Sequence, residues 1–360
     1  NACLNNQGLV ARLGADEFLA ALFDPARDVD FEHVVNEIIK AFSDPFLIDA
    51  HEIYLPFSIG VALFPEDADK FDGLMKCADS ALFYSKQRRS DYEFYHKEMR
   101  VVTSARLDME TALRRALDRD QFRLFYQPQV DISSGRVIGV EALLRWQHPD
   151  GTLVSPDQFI DILEETGLIV PVGEWVIFTA CYQLLDWRKK GFLSLSMAVN
   201  LSPIQFTHKD LFKTIRDVVE TCGIDPQLLD LEITESSIMQ DVRLALMTLN
   251  KFHEMGIRLS IDDFGTGYSS LSYLKKFPLD TLKIDRSFVA DVPHDHDDKA
   301  IIEAIIGVGH SLGLTVLAEG TETQAQVNFL RSKGCDRVQG YLFGKPCSSE
   351  NGVDFLRQYD

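Results

Sequence analysis

The sequence predicts a closed barrel of parallel β-strands and helices, preceded by a smaller α/β unit. From residue 122 onward, short apolar runs alternate with amphipathic segments of helical length. This alternation is typical of a parallel α/β sheet whose strands are covered by helices. Each run ends in polar, mostly acidic residues, as strands do around the site of an α/β barrel. An open, doubly wound sheet would show the same rhythm and stays open as an alternative.

The first 95 residues predict the smaller unit. Its elements are an amphipathic helix over 31–42, a strand over 53–64 that Gly60 interrupts, and a helix over 71–86. Residues 97–117 contain neither Pro nor Gly and predict a long helical connector. We therefore divide the chain into a first domain over 1–95, a connector over 96–118 and a barrel over 119–360.

The barrel strands are predicted from the apolar runs. These runs are 137–144, 196–201, 228–234, 258–262, 281–285, 315–318 and 337–342. No glycine-rich phosphate loop follows the first of them, which disfavours a dinucleotide-cofactor fold.

Composition limits the partners and the compartment. Apolar residues make up 46% of the chain and charged residues 25%, and the formal net charge is -19. This charge repels polymeric nucleic acid and anionic membrane surfaces, so neither is an expected partner. Six cysteines without a CxxC pair are typical of reduced thiols in a cytoplasmic protein. The apolar segment 168–185 is broken by Pro171 and Glu174 and predicts a buried helix, so any membrane anchor or signal peptide is expected upstream of residue 1.

Polar residues end the predicted strands, and most of them are acidic. The full set is Glu141, Asn200, Glu232, Glu235, Asp262, Asp263, Lys283, Asp285, Glu319, Glu322 and Gln339. In a parallel barrel these ends share one face, so the side chains converge. Oxygen donors without His or Cys suit Mg²⁺, Mn²⁺ or Ca²⁺ and disfavour zinc. Adjacent aspartates can bridge two metals, and a nearby lysine can steer a water, which together predict phosphoryl chemistry.

Each of these residues also has an ordinary structural interpretation. Glu141 could be a surface glutamate, Asn200 a turn residue or helix cap, and Lys283 a solvated strand-end lysine. One carboxylate of Asp262 and Asp263 could bind backbone amides of the following turn. We prefer the functional interpretation because all of them fall at the same end of successive strands.

From about residue 107 to residue 359 the chain resembles the EAL family of cyclic di-GMP phosphodiesterases. The matching blocks are FYQPQV at 125–130, GVEALLRW at 139–146, VNLSPIQF at 199–206, LEITES at 231–236, IDDFGTGYSSL at 261–271, LKIDRSF at 282–288, LAEGTET at 317–323 and VQGYLFGKP at 338–346. The resemblance implies a TIM-type barrel, usually with one strand reversed. It also implies hydrolysis of cyclic di-GMP to linear pGpG with two Mg²⁺ or Mn²⁺ ions per site.

The resemblance assigns roles to individual residues. The implied metal ligands are Glu141, Asn200, Glu232, Asp262 and Asp263. The implied catalytic set is Lys283, which positions the attacking water, Glu319 beside the second metal or its water, and Glu235, which anchors the loop after Asp263. The implied substrate contacts are Gln127, Arg145 and Gln339, and the forked guanidinium of Arg145 suits a phosphate. In this family the anchored loop couples dimerisation to activity, which implies a homodimer through the barrels.

The first 95 residues resemble the C-terminal part of a GGDEF domain, the diguanylate cyclase family. The blocks are RLGADEF at 12–18, SIGVALFP at 58–65 and ADSALFYSK at 78–86. The candidate site residues are Gly14, Ala15, Asp16 and Glu17. Ala15 replaces a glycine where the backbone must approach a nucleotide closely, which is a steric objection to cyclisation of GTP.

Further departures from the GGDEF family pattern also argue against cyclisation of GTP. Arg89 and Ser90 replace a Gly and a basic residue near the triphosphate, and Asn5 and Gly8 replace the Arg and Asp of the product-inhibition site. Asp16 and Glu17 could still ligate a metal. We therefore expect a partial, degenerate domain that binds GTP, if it binds any nucleotide, and tunes its neighbour.

The prediction is a bacterial, cytoplasmic cyclic di-GMP phosphodiesterase. Three alternatives stay open. They are a non-catalytic cyclic di-GMP receptor, a bifunctional enzyme that also makes cyclic di-GMP, and a glycosidase-like barrel with paired carboxylates. The intact acidic set argues against the receptor, Ala15 and Arg89 argue against the cyclase, and Asn200 and Lys283 argue against the glycosidase.

Overall fold

The chain forms two compact units, residues 1–109 and 110–360. A computed structural model describes residues 8–14, 17–22, 30–43, 46–48, 51–53, 55, 57–88, 90–266 and 271–358. The division between the units falls within one continuous helix, Lys97–Ala116, which confirms the predicted helix over 97–117. Its role as a connector between domains stays a prediction.

The first unit alternates short strands and helices. In chain order they are β1 (Gly8–Arg12), β2 (Phe18–Leu22), α1 (Phe31–Ala41), β3 (Phe46–Ile48), β4 (His51–Ile53), β5 (Ile59–Val61), α2 (Phe71–Arg88), β6 (Tyr92–Phe94) and α3 (Lys97–Ala116). Strands β1 and β2 form an antiparallel hairpin, β3 and β4 form a second, and β5 pairs with β6 in parallel. Helices α1 and α2 confirm the two predicted helices.

Helix α2 packs closely on strand β5 in this unit. A Cβ added to Gly60 would collide with the backbone of Ala78 and Leu82, so glycine is needed where strand and helix touch. The predicted strand over 53–64 is wrong in length, because the ladder of β5 covers three residues. Prolines at 56 and 65 flank it in the sequence, and proline has no N–H to extend a ladder.

The second unit contains the repeated strand and helix pattern. In chain order its elements are β7 (Phe122–Asp131), β8 (Val137–Gln147), β9 (Leu153–Val154), α4 (Ile160–Glu165), α5 (Ile169–Lys189), β10 (Ser196–Leu201), α6 (Pro203–Phe206), α7 (Leu211–Cys222), β11 (Leu229–Thr234), α8 (Glu235–Gln240), α9 (Val242–Glu254), β12 (Arg258–Phe264), α10 (Leu271–Leu274), β13 (Thr281–Ile284), α11 (Arg286–Ala290), α12 (His296–Ser311), β14 (Thr315–Ala318), α13 (Gln324–Ser332), β15 (Arg337–Gln339) and α14 (Ser349–Gln358). Short 3₁₀ turns cover Pro156–Gln158 and Pro226–Leu228.

Eight strands of this unit close into a barrel. The hydrogen-bonded order runs from β10 through β11, β12, β13, β14, β15 and β7 to β8, and β8 pairs in parallel with β10. Strand β7 is antiparallel to both of its neighbours, β15 and β8. The closure confirms the TIM-type barrel, rules out the open sheet and confirms the implied reversed strand.

Residues alternate between the two faces of each barrel strand. In β12, Leu259 and Ile261 are fully buried on the outer face, where helices cover the barrel, whereas Ser260 and Asp262 share the inner face. Burying one such aliphatic side chain contributes about 1.5–3 kcal/mol to folding. An apolar outer layer therefore supports an interior that carries polar groups.

Helix α5 is the most apolar helix predicted from the sequence. Its inner side buries Val172, Ile177, Ala180 and Leu184 against the rest of the unit, as the prediction of a buried helix requires. Among the described residues, no helix is both long enough and apolar enough to span a bilayer.

Candidate active site

Three carboxylates from strands β8, β11 and β12 lie inside one end of the barrel. Glu141 of β8, Glu232 of β11 and Asp262 of β12 are almost fully buried, with 5%, 1% and 9% of their surfaces exposed. Glu141 is therefore not a surface glutamate. The register of the strands brings these inner-face residues together, as the convergence argument predicts.

Lys283 of β13 lies at the centre of this group. Its Nζ is 2.6 Å from Glu232 Oε2, 3.2 Å from Asp262 Oδ2 and 2.6 Å from Glu319 Oε1. Its side chain is 1% exposed, so the alternative of a solvated strand-end lysine is wrong. The three N–H donors of the ammonium match its three carboxylate partners.

The positive charge of Lys283 is smaller than the negative charge around it. Burial raises the pKa of Glu232 well above its usual range, and burial raises the pKa of Glu319 to about 8 despite the lysine. Burial lowers the pKa of Lys283, but attraction to Asp262, Glu232 and Glu319 outweighs this and raises it well above its usual value. One ammonium facing four carboxylates, including Glu141, leaves the site short of positive charge.

Two amide side chains donate hydrogen bonds to the Glu141 carboxylate. Asn200 Nδ2 donates to Glu141 Oε1 at 2.5 Å, and Gln339 Nε2 donates to Glu141 Oε2 and, at 3.2 Å, to Gln127 Oε1. The cap of the helix after β10 is Ser202, so Asn200 is not a helix cap. Gln339 Oε1 is buried and has no hydrogen-bond donor among the described residues, which leaves an acceptor facing the site.

The regular pairing of strand β12 is interrupted at Asp262 and Asp263. The ladder of β12 with β13 shifts register between Ile261 and Phe264, and Asp263 has the left-handed backbone angle φ 54°. Such a shift turns consecutive side chains away from strict alternation. Asp262 Oδ1 accepts the Asp263 N–H at 2.9 Å, as the turn interpretation proposed, while its other oxygen faces Lys283.

Asp263 is a strained and half-buried carboxylate. A positive φ is uncommon for a residue with a side chain and is concentrated at functional sites. Burial, followed by repulsion from Asp262 and Asp285, raises the pKa of Asp263 to about 6.

The loop after Asp263 is held by Glu235. Glu235 is 3% exposed, and its Oε2 accepts the Gly265 N–H at 3.3 Å. Gly265 has φ 99°, which an L side chain rarely adopts. Residues 267–270 of the same loop, which include Gly267, lie outside the described residues.

Arg145 lies toward the end of β8, four residues beyond Glu141. It is half-buried, its Nη1 donates to the Leu144 carbonyl at 2.7 Å, and its guanidinium lies 5.8 Å from the centre of the Phe125 ring. Burial lowers the pKa of Arg145, while Tyr341, Asp157 and Glu141 oppose the shift.

The donor set fits divalent cations in its chemistry. All the converging donors are carboxylate or amide oxygens, the charge of the carboxylates is undercompensated, and Gln339 offers an unused acceptor. Within the described ranges, no three His, Cys, Asp or Glu side chains are grouped to hold one metal ion. In this arrangement the Lys283 ammonium lies among three of the carboxylates and supplies the positive charge.

Gln129 belongs to the site but was not among the predicted residues. It is 3% exposed, and its Nε2 donates to Glu232 Oε1 at 3.4 Å. It lies two residues beyond Gln127 on strand β7, so period-two alternation would have found it. That strand was absent from the predicted runs.

Two of the four candidate residues of the first unit are described, and both are exposed. Gly14 and Glu17 form the exposed turn of the β1–β2 hairpin, where the Leu13 N–H donates to the Glu17 carbonyl at 2.9 Å. Ala15 and Asp16, and likewise Arg89 and Asn5, lie outside the described residues.

The fold and the site define a class: a TIM-type α/β barrel with one antiparallel strand and a buried acidic cluster around a lysine. Residues 110–346 match the model of the EAL domain, and residues 1–91 match the model of the diguanylate cyclase GGDEF domain. The chain belongs to the EAL domain family and carries a GGDEF region ahead of its barrel.

Similar proteins extend this assignment. The bifunctional diguanylate cyclase/cyclic di-GMP phosphodiesterase MucR of Pseudomonas aeruginosa is 44% identical over 345 residues, which cover 96% of this chain and 50% of MucR. The cyclic di-GMP phosphodiesterase NbdA of the same organism is 38% identical over 99% of this chain and 46% of NbdA. A solved c-di-GMP complex of the PaMucR phosphodiesterase superposes with a TM-score of 0.66 and 47% identity, covering 68% of this chain and 99% of that one. The chain spans about half the length of the curated relatives it matches.

Proposed function

We propose that the barrel hydrolyses cyclic di-GMP to linear pGpG. The single observation that carries this proposal is the buried cluster in which Lys283 contacts Glu232, Asp262 and Glu319. Relatives named as cyclic di-GMP phosphodiesterases support the choice of substrate. In the reaction a water oxygen forms a bond to phosphorus, the bond from phosphorus to the 3′ oxygen breaks, and that oxygen leaves with a proton.

We assign the metal positions to Glu141, Asn200, Glu232, Asp262 and Asp263, with Mg²⁺ or Mn²⁺ as the cations. When bound, such cations acidify a water and stabilise charge on the phosphoryl oxygens. This assignment is supported by the oxygen-only donor set and by the excess of negative charge.

Lys283 and Glu319 act next to the attacking water in this proposal. Glu319 keeps 19% of its side chain exposed whereas Glu232 keeps 1%, so Glu319 is the partner of Lys283 that solvent reaches more easily. Lys283 holds one oxygen of each glutamate, and its positive charge can stabilise charge on a phosphoryl oxygen. Glu235 acts by positioning, because it holds the backbone of the loop that follows Asp263.

Substrate contacts are proposed for Gln127, Arg145 and Gln339. Gln339 presents its free Oε1 to the interior, and Gln127 is fixed between Gln339 and the Gly344 carbonyl at 3.2 Å. A guanidinium can hold two phosphate oxygens at once, which suits Arg145 to the phosphodiester.

The test is direct. The protein is incubated with cyclic di-GMP and Mg²⁺ or Mn²⁺, and pGpG is measured by chromatography. We expect pGpG with the wild type and none above background with Glu141→Ala or Asp262→Asn. Binding of cyclic di-GMP without turnover under either metal, in the longer full-length protein as well, would instead support the receptor alternative.

The bifunctional alternative is favoured by one observation, the similarity to MucR, which is named a bifunctional diguanylate cyclase/cyclic di-GMP phosphodiesterase. Against it stand Ala15, which replaces a glycine of the family motif, and the departures at Arg89 and Ser90. Formation of cyclic di-GMP from GTP by this chain would support the alternative.

Several further parts of the proposal concern the organisation of the protein. We propose a degenerate GGDEF domain over 1–95 that regulates the barrel and binds GTP, a connector over 96–118, and a barrel over 119–360. We also propose a homodimer through the barrels and a cytoplasmic location in a bacterium. These proposals are supported by the family resemblance, and the cytoplasmic location also by the six cysteines without a CxxC pair.

A further inference from the structure

Glu232 is the most deeply buried carboxylate of the proposed metal set. One of its oxygens, Oε2, accepts a hydrogen bond from Lys283 Nζ at 2.6 Å. Lys283 also forms ion pairs with Asp262 and Glu319, and its contact with Glu232 is made to Oε2. A carboxylate held by one oxygen can rotate about that contact.

The second oxygen of Glu232 is held from the reversed strand. Gln129 Nε2 donates to Glu232 Oε1 at 3.4 Å, and Gln129 is itself 3% exposed. Gln129 pairs with Gly139 of β8 and with Gln339 of β15, so its backbone is held on both sides of β7. The amide is therefore a fixed donor inside the barrel.

Gly139 leaves space for the Gln129 side chain inside the barrel. A Cβ added to Gly139 would lie 3.1 Å from Gln129 Oε1 and would collide with Ser196 Oγ. Gly139 is two residues before Glu141 on the same face of β8. A side chain at 139 would displace Gln129 or Ser196, so the glycine keeps the Gln129 amide in place beneath Glu232.

We propose that Gln129 is a positioning residue, which fixes the Glu232 carboxylate so that its oxygens stay oriented for a divalent cation. The inference rests on the proposed function, in which Glu232 is a metal ligand. Partners that hydrogen-bond to metal ligands set the orientation of those ligands, and their loss costs roughly 10–100-fold in metal affinity or activity. Gln129 would act through Glu232 and would not touch the substrate.

The test uses the full chain, freed of metal, in calorimetric titrations with Mn²⁺ and without substrate. Gln129→Met keeps the length of the side chain and removes the donor. We expect the Kd for Mn²⁺ to rise at least about tenfold. At fixed subsaturating Mn²⁺, kcat should fall while KM for cyclic di-GMP changes less than about twofold.

The matched control is Gln324→Met on the surface of α13. The Gln324 side chain is exposed, and its amide donates to Asn328 Oδ1 at 3.0 Å. Its Kd for Mn²⁺ should equal that of the wild type. If thermal unfolding shows that Gln129→Met does not fold, Gln129→Asn is the second variant, because the shorter amide withdraws the donor, and the same rise in Kd is expected.

Unchanged Mn²⁺ affinity in a folded Gln129 variant overturns the inference, and so does a KM that rises in proportion to the fall in kcat. The proposed function fails separately. If the wild type binds Mn²⁺ but makes no pGpG, hydrolysis is wrong, whereas the effect of Gln129 on Mn²⁺ affinity still decides this inference. A wild type that binds no Mn²⁺ overturns both.

Discussion

The two units of the chain each carry candidate acidic residues, but they hold them in opposite ways. In the barrel, Glu141, Glu232 and Asp262 are almost fully buried and contact a shared lysine or amide. In the first unit, Glu17 lies on an exposed hairpin turn. A buried carboxylate costs free energy unless it is paired, whereas an exposed one costs almost nothing. The cost of burying the barrel carboxylates indicates that these charged groups have a functional role.

The largest expected effect comes from removing the lysine that compensates the barrel cluster. In the metal-free protein, Lys283→Met should lower the free energy of unfolding by about 3–5 kcal/mol, because it leaves buried carboxylates unpaired. Excess Mn²⁺ should restore part of the loss. Urea unfolding followed by tryptophan fluorescence reports on the barrel, since Trp146, Trp175 and Trp187 all lie there.

A matched control lies on the surface of α5. Lys190 pairs with Asp186 at 2.6 Å, and both side chains are nearly half exposed. Lys190→Met should change the free energy of unfolding by about 0–1 kcal/mol, as for other exposed pairs. Equal effects of the two variants would show that the cluster around Lys283 is not electrostatically special.

The next effect tests the loop that Glu235 holds. Glu235→Ala removes the acceptor of the Gly265 N–H and should lower kcat about tenfold, because the loop after Asp263 loses its fixed position. Binding of cyclic di-GMP, measured by calorimetry, should change much less. The exposed Glu254 gives a control in Glu254→Ala, and a loss of ligand affinity equal to the loss of kcat would contradict the positioning role.

A smaller effect concerns pH. In the folded, metal-free protein the pKa of Asp263 is raised to about 6 and that of Glu319 to about 8. The folded state therefore keeps protons that the unfolded chain releases above about pH 4. Stability from these groups falls as pH rises from about 5 to about 8, and then levels off.

The thermal unfolding midpoint of the barrel, measured without metal, should decrease over that pH range. Glu319→Gln should remove its own share of the decrease, and Glu232, whose pKa is also raised, should keep part of it. A midpoint that rises between about pH 5 and 8 would contradict the direction of these shifts.

The smallest effect is expected in the first unit. Glu17→Gln changes an exposed hairpin side chain and should leave the hydrolysis of cyclic di-GMP, assayed without GTP, within about twofold of the wild type. A tenfold change would mean that the hairpin carboxylate acts on the barrel, and the contrast between the two units would then be wrong.

Much of the barrel could be predicted because its strands alternate with helices in the sequence. Strand β7 was missed, since Pro128 interrupts its pattern and proline usually argues against an interior strand. Closure was the preferred prediction, but local periodicity could not exclude the open sheet, because it carries no sign of the pairing of β8 with β10. The reversed strand was predicted from the resemblance to the EAL family and not from the sequence pattern.

The convergence of Glu141, Glu232 and Asp262 followed from their places at strand ends. The burial of Lys283 did not, because a lysine near a strand end is as often solvated as paired, and its partners come from three other strands. Gln129 was missed because strand β7 was missed. Its hydrogen-bond partner Glu232 is also distant in sequence, although it is adjacent across the barrel.

Closure of the barrel also bears on self-association. Each of its eight strands is hydrogen-bonded on both sides, and the short β9 is the one strand that extends the sheet outside the ring. Chains with open sheet edges can join by adding strand to strand, and this route leads readily to aggregates. Within the described residues the closed ring offers no such edge, and the two-residue β9 offers only a short one. If two copies of this barrel associate, they are therefore expected to meet through side chains on helices and loops, where single substitutions can separate the copies without unravelling the sheet.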